Sequence, residues 1–167
     1  MLDLPLNWQG ELLSTQGPQQ IWRIERPALP DLAVLGCQVE ELPAVGFWCE
    51  HRGVMWLLQS QGEEIWLTRV SMVANTAQQS AHNWRGRQLQ SVKDRGQQLN
   101  IYWSQQHPQQ LYQFVQFRYL SRRPRLLELS HGRFYLSLQR PIEELFLYVQ
   151  NGSTLVLSAL PNGPSER

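Results

Sequence analysis

Apolar residues come in short runs separated by turn-forming residues, recurring about every 8–12 positions, the spacing of strands and turns. Gln20–Glu25 sets Trp22 and Ile24 on one face against Arg23 and Glu25 on the other. Strands are predicted likewise at Asp31–Glu40, Ala44–Glu50, Val54–Gln59 and Glu64–Val73, then from Gln88 through Val92 and over Leu99–Ser104. Val54–Gln59 is almost wholly apolar, the pattern of a strand buried on both faces. A meander completes the chain: Leu111–Leu120, Arg125–Ser130, Arg133–Gln139, Glu144–Gln150 and Thr154–Leu160. Asn151-Gly152 is the strongest hairpin signal, because both central residues of a type I′ turn need positive φ. Asn75 or Thr76 caps one short helix over 76–83, and Gly86 stops it from running further.

Nine to eleven such strands must close on themselves or stack as two sheets. The pattern predicts a single all-β domain over 1–160, an antiparallel meander closing into a lipocalin-like barrel with one short helix near 76–83. A β-sandwich is the alternative. Residues 161–167 are expected to form a flexible tail. No internal repeat is evident in the residues themselves.

Composition narrows the class. A chain of 167 residues, 42% hydrophobic, has one domain's length and enough apolar material for a core, which excludes wholesale disorder. Two cysteines exclude a disulfide-stapled miniprotein. Met1 to Pro5 has neither the charge nor the apolar stretch of a signal peptide, and no run approaches the roughly 20 apolar residues of a membrane span. The expected address is cytoplasmic, with Cys37 and Cys49 as reduced core thiols.

Polarity comes from unusual sources: 21 glutamines, and 14 arginines against the lone lysine Lys93. The net charge of +1 conceals a segregation, with −6 over residues 1–66, +9 over 67–142 and −2 over 143–167. Two oppositely charged faces follow if the acidic ends fold beside each other. Otherwise the two sets pair across strands.

The residues offer little for catalysis. His51, His82, His107 and His131 lack metal-ligand spacing, there is no CxxC, and Cys49 with His51 supplies at most two ligands where zinc needs more. No GxSxG elbow, P-loop or GxGxxG occurs. The paired acids Glu40-Glu41, Glu63-Glu64 and Glu143-Glu144 point to opposite strand faces, so none is a ready acid/base pair. No catalytic residue, metal or cofactor is predicted.

Two features remain. The first is a basic arc of Arg118, Arg122, Arg123, Arg125, Arg133 and Arg140 interleaved with Tyr119, Phe134 and Tyr135. Arginine forks grip carboxylates or phosphates, and arginine beside aromatic rings suits protein docking or single-stranded nucleic acid. The binding candidates are Arg118, Tyr119, Arg122, Arg123, Arg125, Arg133 and Tyr135. The stretch Arg118-Tyr-Leu-Ser-Arg122 is similar to the RxxxR of PilZ domains, small β-barrels that bind a cyclic dinucleotide. Their second motif requires a glycine where Val156 follows Asn151-Gly-Ser153, so the likeness carries no assignment.

The second feature is tryptophan. Trp22, Trp56, Trp66 and Trp103 are candidates to line the pocket of a hollow barrel. Such a barrel resembles the bilin lyases in shape and would hold a flat apolar ligand, a tetrapyrrole or a lipid, with arginines on its carboxylates. The leading expectation is a non-enzymatic binding or assembly protein that docks a protein partner through its Arg/Tyr-rich face. A small-molecule carrier or chaperone-like lyase is second. Single-stranded nucleic-acid binding is third, disfavoured by a pI near 7.9.

Overall fold

A computed structural model of the chain describes residues 10–25, 32–42, 45–61, 63–71, 84–94 and 97–161. The chain divides into two compact units, residues 1–77 and 78–167. Each holds one six-stranded antiparallel sheet.

In unit 1 the strands are β1 (Gly10–Gln16), β2 (Gln19–Ile24), β3 (Glu40–Leu42), β4 (Gly46–His51), β5 (Val54–Gln61) and β6 (Glu64–Ser71). Their order across the sheet is β1-β2-β6-β5-β4-β3. Unit 2 has β7 (Arg87–Asp94), β8 (Gln97–Ser104), β9 (Arg125–Ser130), β10 (Arg133–Leu138), β11 (Glu143–Gln150) and β12 (Ser153–Pro161), ordered β7-β8-β12-β11-β10-β9. Both sheets are open, with two edge strands each, and no barrel closes among the described residues. The predicted helix at 76–83 lies outside those residues.

The two orders are the same plan used twice. In each unit a hairpin is followed by a crossover, and the next four strands return as a meander that ends beside the second strand. The register agrees residue by residue. Across unit 1, Phe47, Leu58, Leu67 and Trp22 are successive cross-strand partners. Across unit 2, Phe134, Leu147, Val156 and Tyr102 take the same places. Even the irregularities coincide: β1 bulges between Leu12 and Ser14, and β7 between Gln88 and Gln90, opposite matching pairs on β2 and β8. The repeat invisible in the sequence is thus present in the fold.

Each unit buries one sheet face under its crossover. In unit 1, Leu32, Cys37, Cys49, Leu58, Leu67, Trp22 and Ile24 form the apolar cluster. In unit 2, Leu111 and Val115 of the crossover pack with Phe134, Leu136, Leu138, Leu145, Leu147, Val156 and Trp84.

The crossovers are where the strand predictions fail. Asp31–Glu40 was expected extended, but Leu32–Leu35 is a 3₁₀ turn that seats Leu32 in the cluster. Leu111–Leu120 was expected as a strand, but Pro108–Arg118 is helix α1. Its start carries the signals. Pro108 occupies the first turn, where its missing N–H is no loss. The Gln109 N–H donates to His107 Nδ1 at 3.1 Å, and the His107 N–H donates to the Gln110 side chain at 2.8 Å, a capping box. Leu111 and Val115, four apart, then share the buried stripe, each contributing about 1.5–3 kcal/mol by burial.

The cysteines are a third correction. Cys37 and Cys49, expected as thiols, are joined in a disulfide with Cα atoms 5.9 Å apart. The short turn after Leu32 brings the crossover down onto β4, where Cys49 faces the cluster. Elsewhere the reading holds well. β9 spans the predicted Arg125–Ser130, and Asn151 and Gly152 both have positive φ, 51° and 81°.

Candidate functional site

The face of unit 2's sheet turned away from α1 has an exposed end. Leu127, Tyr135 and Phe146 are direct partners across β9, β10 and β11, and the row continues inward to Leu157 and Ile101. Leu157 and Ile101 are buried, but Leu127 is 47% exposed and Phe146 36%. The Tyr135 and Phe146 rings are 5.3 Å apart and tilted by 50°. Leu129 beside them on β9 is also exposed.

Charged residues frame this row on both sides. In the row before it, Arg125, Ser137 and Glu144 are cross-strand partners; in the row after it, Ser130, Arg133 and Tyr148. The Tyr135 hydroxyl donates to Glu144 Oε2 at 2.5 Å. That hydrogen bond, together with burial and the Glu144 charge, raises the Tyr135 pKa, and nearby Arg125 partly opposes the rise. The Arg133 guanidinium lies 5.7 Å from the Tyr148 ring, in cation–π range. Arg118, in the last turn of α1, and Arg123, on the segment between α1 and β9, are exposed, and so are Phe117 and Leu120. Three of the sequence candidates, Arg125, Arg133 and Tyr135, therefore meet on one sheet face. Tyr119 caps α1 and stacks edge-on against Phe114.

Arg122 has a different role. Its Nε donates to the Gln139 carbonyl at 3.1 Å, and one terminal nitrogen donates to the Pro141 carbonyl at 2.7 Å. The same nitrogen lies 3.5 Å from Glu143. Glu143 is buried and is held bidentately by Arg85, at 2.7 and 2.6 Å. The Ser158 hydroxyl completes its shell. Burial alone raises a carboxyl's pKa, but here the Arg85 hydrogen bonds and charge, then Ser158 and Arg122, outweigh it and hold Glu143 below the usual range. Arg85 itself lies over Trp84 at 4.3 Å and near Tyr102 at 5.9 Å. This satisfied cluster clasps the end of the crossover to β11. The sequence did not suggest it, since Arg85, Glu143 and Ser158 are far apart in the chain. Glu143 points inward and Glu144 outward, as strand alternation requires.

The tryptophans separate between the units. Trp22 is buried in unit 1's cluster, with Trp56 half-buried against it and Arg69 5.5 Å over the Trp56 ring. The Trp66 indole donates to Glu64 at 3.0 Å. Trp103 is buried in unit 2. The indole N–H of Trp48, the side-chain carbonyl of Gln59 and the Thr68 hydroxyl are buried without a hydrogen-bond partner on one face of β4, β5 and β6.

Among the described residues, no three His, Cys, Asp or Glu side chains gather as a metal site, and no helix is long and apolar enough to cross a membrane. Comparison with protein-family models, curated proteins and solved structures finds no match to this chain. The reading of function therefore rests on the surface chemistry.

Proposed function

We propose that this is a non-enzymatic docking protein that holds a protein partner on the β9–β11 face of unit 2. One observation carries the reading. In the Leu127–Tyr135–Phe146 row Leu127 and Phe146 are exposed and Tyr135 is half-buried, with an arginine in the row on either side, whereas the row in the same place in unit 1, Glu40–Trp48–Leu57, has its Trp48 and Leu57 fully buried. Aromatic side chains beside arginine are the residue types that interface hot spots favour. Pulling the full chain out of its own cells tests it. Arg125→Glu with Arg133→Glu should lower partner recovery about tenfold or more, because a reversed charge repels an acidic partner. Equal recovery would refute the proposal.

Small-molecule carriage is the second reading, supported by the unpartnered Trp48, Gln59 and Thr68 atoms of unit 1. Buried polar atoms of this kind are completed by ordered water or by a ligand. Quenching of tryptophan emission by an added tetrapyrrole or fatty acid would support carriage; unaltered emission would reject it.

A further inference from the structure

We infer, resting on the docking reading, that the partner is an acidic segment in extended conformation that pairs along β9 as an additional strand of unit 2's sheet. Among the described residues β9 is the last strand in its sheet, with β10 as its one strand neighbour. Five of its six residues are exposed. An edge of this kind presents unpaired backbone donors and acceptors, and proteins usually blunt it with lysine, proline, a bulge or extreme shortness. β9 has no lysine or proline, and its register shift falls at its far end, opposite Arg133 and Phe134. The edge strand in the same position of unit 1, β3, is three residues long with Leu42 buried.

The side chains indicate what the added strand carries. The apolar row reaches the edge at Leu127, so a seventh strand extends it with an apolar residue, and strand alternation turns the residues two positions to either side of that residue to the same face. The surrounding charge is positive. Arg125 and Arg133 reach the surface on this face and Arg123 just before the strand, against Glu128 within it and Glu144 on β11. Acidic residues at those same-face positions complement Arg125 and Arg133, which lie in the rows on either side of Leu127's. A second copy of β9 fits poorly, because it sets one positively charged face against another. Nucleic acid fits the arginines but gains nothing from Leu127 and Leu129.

The test uses the full chain and a synthetic peptide with a central valine flanked two positions away on each side by glutamate. Fluorescence anisotropy gives affinity, and amide hydrogen exchange reports on residues 125–130. The peptide should bind and protect the β9 amides. N-methylation of alternate peptide residues, on whichever set faces the edge, should weaken binding about tenfold, since it removes two or three backbone hydrogen bonds. Replacing the peptide's glutamates with lysine, or making Arg125→Glu with Arg133→Glu in the protein, should abolish binding. Binding that ignores N-methylation and leaves β9 unprotected overturns strand addition but leaves the docking face standing. So does failure of every peptide while charge-sensitive capture of the natural partner persists. Concentration-dependent doubling of the protein's mass with β9 amides protected makes a second copy the occupant and overturns the inference. Selective binding of a single-stranded oligonucleotide at Arg125 and Arg133 overturns both the inference and the protein-docking proposal.

Discussion

Unit 1 and unit 2 share a strand order and a register, yet they fasten the same crossover by different chemistry. Unit 1 pins it to β4 covalently, through Cys37–Cys49. Unit 2 pins it to β11 ionically, through Arg122, Glu143 and Arg85. The position of Cys49 on β4 is taken on β10 by Leu136, which α1 covers. Among the described residues unit 1's crossover contributes a short 3₁₀ turn, and a covalent link stands where unit 2 has helix packing. The units also differ in charge. Residues 1–77 have four basic and nine acidic groups, a net of −5, and residues 78–167 have eleven and five, a net of +6. One plan thus provides an acidic unit with a buried row and a basic unit with an exposed one.

The largest effect should come from breaking the ionic fastening. Glu143→Gln leaves Arg85 and Arg122 facing a neutral group, and removing one partner of a buried pair costs about 3–5 kcal/mol. Val54 occupies the same register position in unit 1 and has no such partners, so Val54→Ala should cost far less. Native-state hydrogen exchange separates the two: Glu143→Gln should loosen β11 amides and spare β5. Loosening of both alike would show that the units do not fold as described.

Next in size is the covalent fastening. Cys37→Ala with Cys49→Ala opens a loop of 12 residues' separation, which should cost about 3 kcal/mol. The loss should appear in β4 and β5 and leave β10 and β11 protected.

Acid sharpens the same contrast. Glu143 has a folded pKa below its unfolded value, so its contribution is fully present above the ordinary carboxyl range and is lost as pH falls through the folded value. Unit 2 should therefore loosen first on acidification, and unit 1 first on reduction. A titration followed by unit-specific amide exchange checks the order.

Much of this fold was legible in the pattern of the residues. Period-two alternation located β2 and β10, the turns on either side bounded β9, and Asn151-Gly152 marked its hairpin. The crossover of unit 2 misled because Leu111, Tyr112, Phe114, Val115 and Phe117 satisfy both periods, and their aromatic and β-branched character favours strand. His107-Pro108 with Gln110 was the helix signal to weigh against that. The duplication was hidden because a sheet row demands only apolar residues of fitting size. Trp22 and Tyr102, or Leu67 and Val156, do the same work without being alike. The arginine arc was readable as charge but not as two groups. Nothing local distinguishes Arg122, which folds onto Gln139 and Pro141, from Arg125 three residues on, which stays at the surface.

The smallest effect on stability belongs to the docking face. Arg125→Glu should change unfolding free energy by no more than about 0.5 kcal/mol, and Arg133→Glu by about 1 kcal/mol, because it also loses the contact with the Tyr148 ring. A denaturant titration checks this, and it is what makes loss of partner recovery in that variant interpretable as lost docking. A large destabilisation would mean that these arginines serve the fold.

The most direct measurement places a photo-reactive phenylalanine analogue at Leu127 in one variant and at Glu40, its counterpart in unit 1, in another. Both are irradiated in the protein's own cells. The account predicts a cross-link from position 127 to an acidic protein and none from position 40. Equal cross-linking from both, or none from 127, would contradict it.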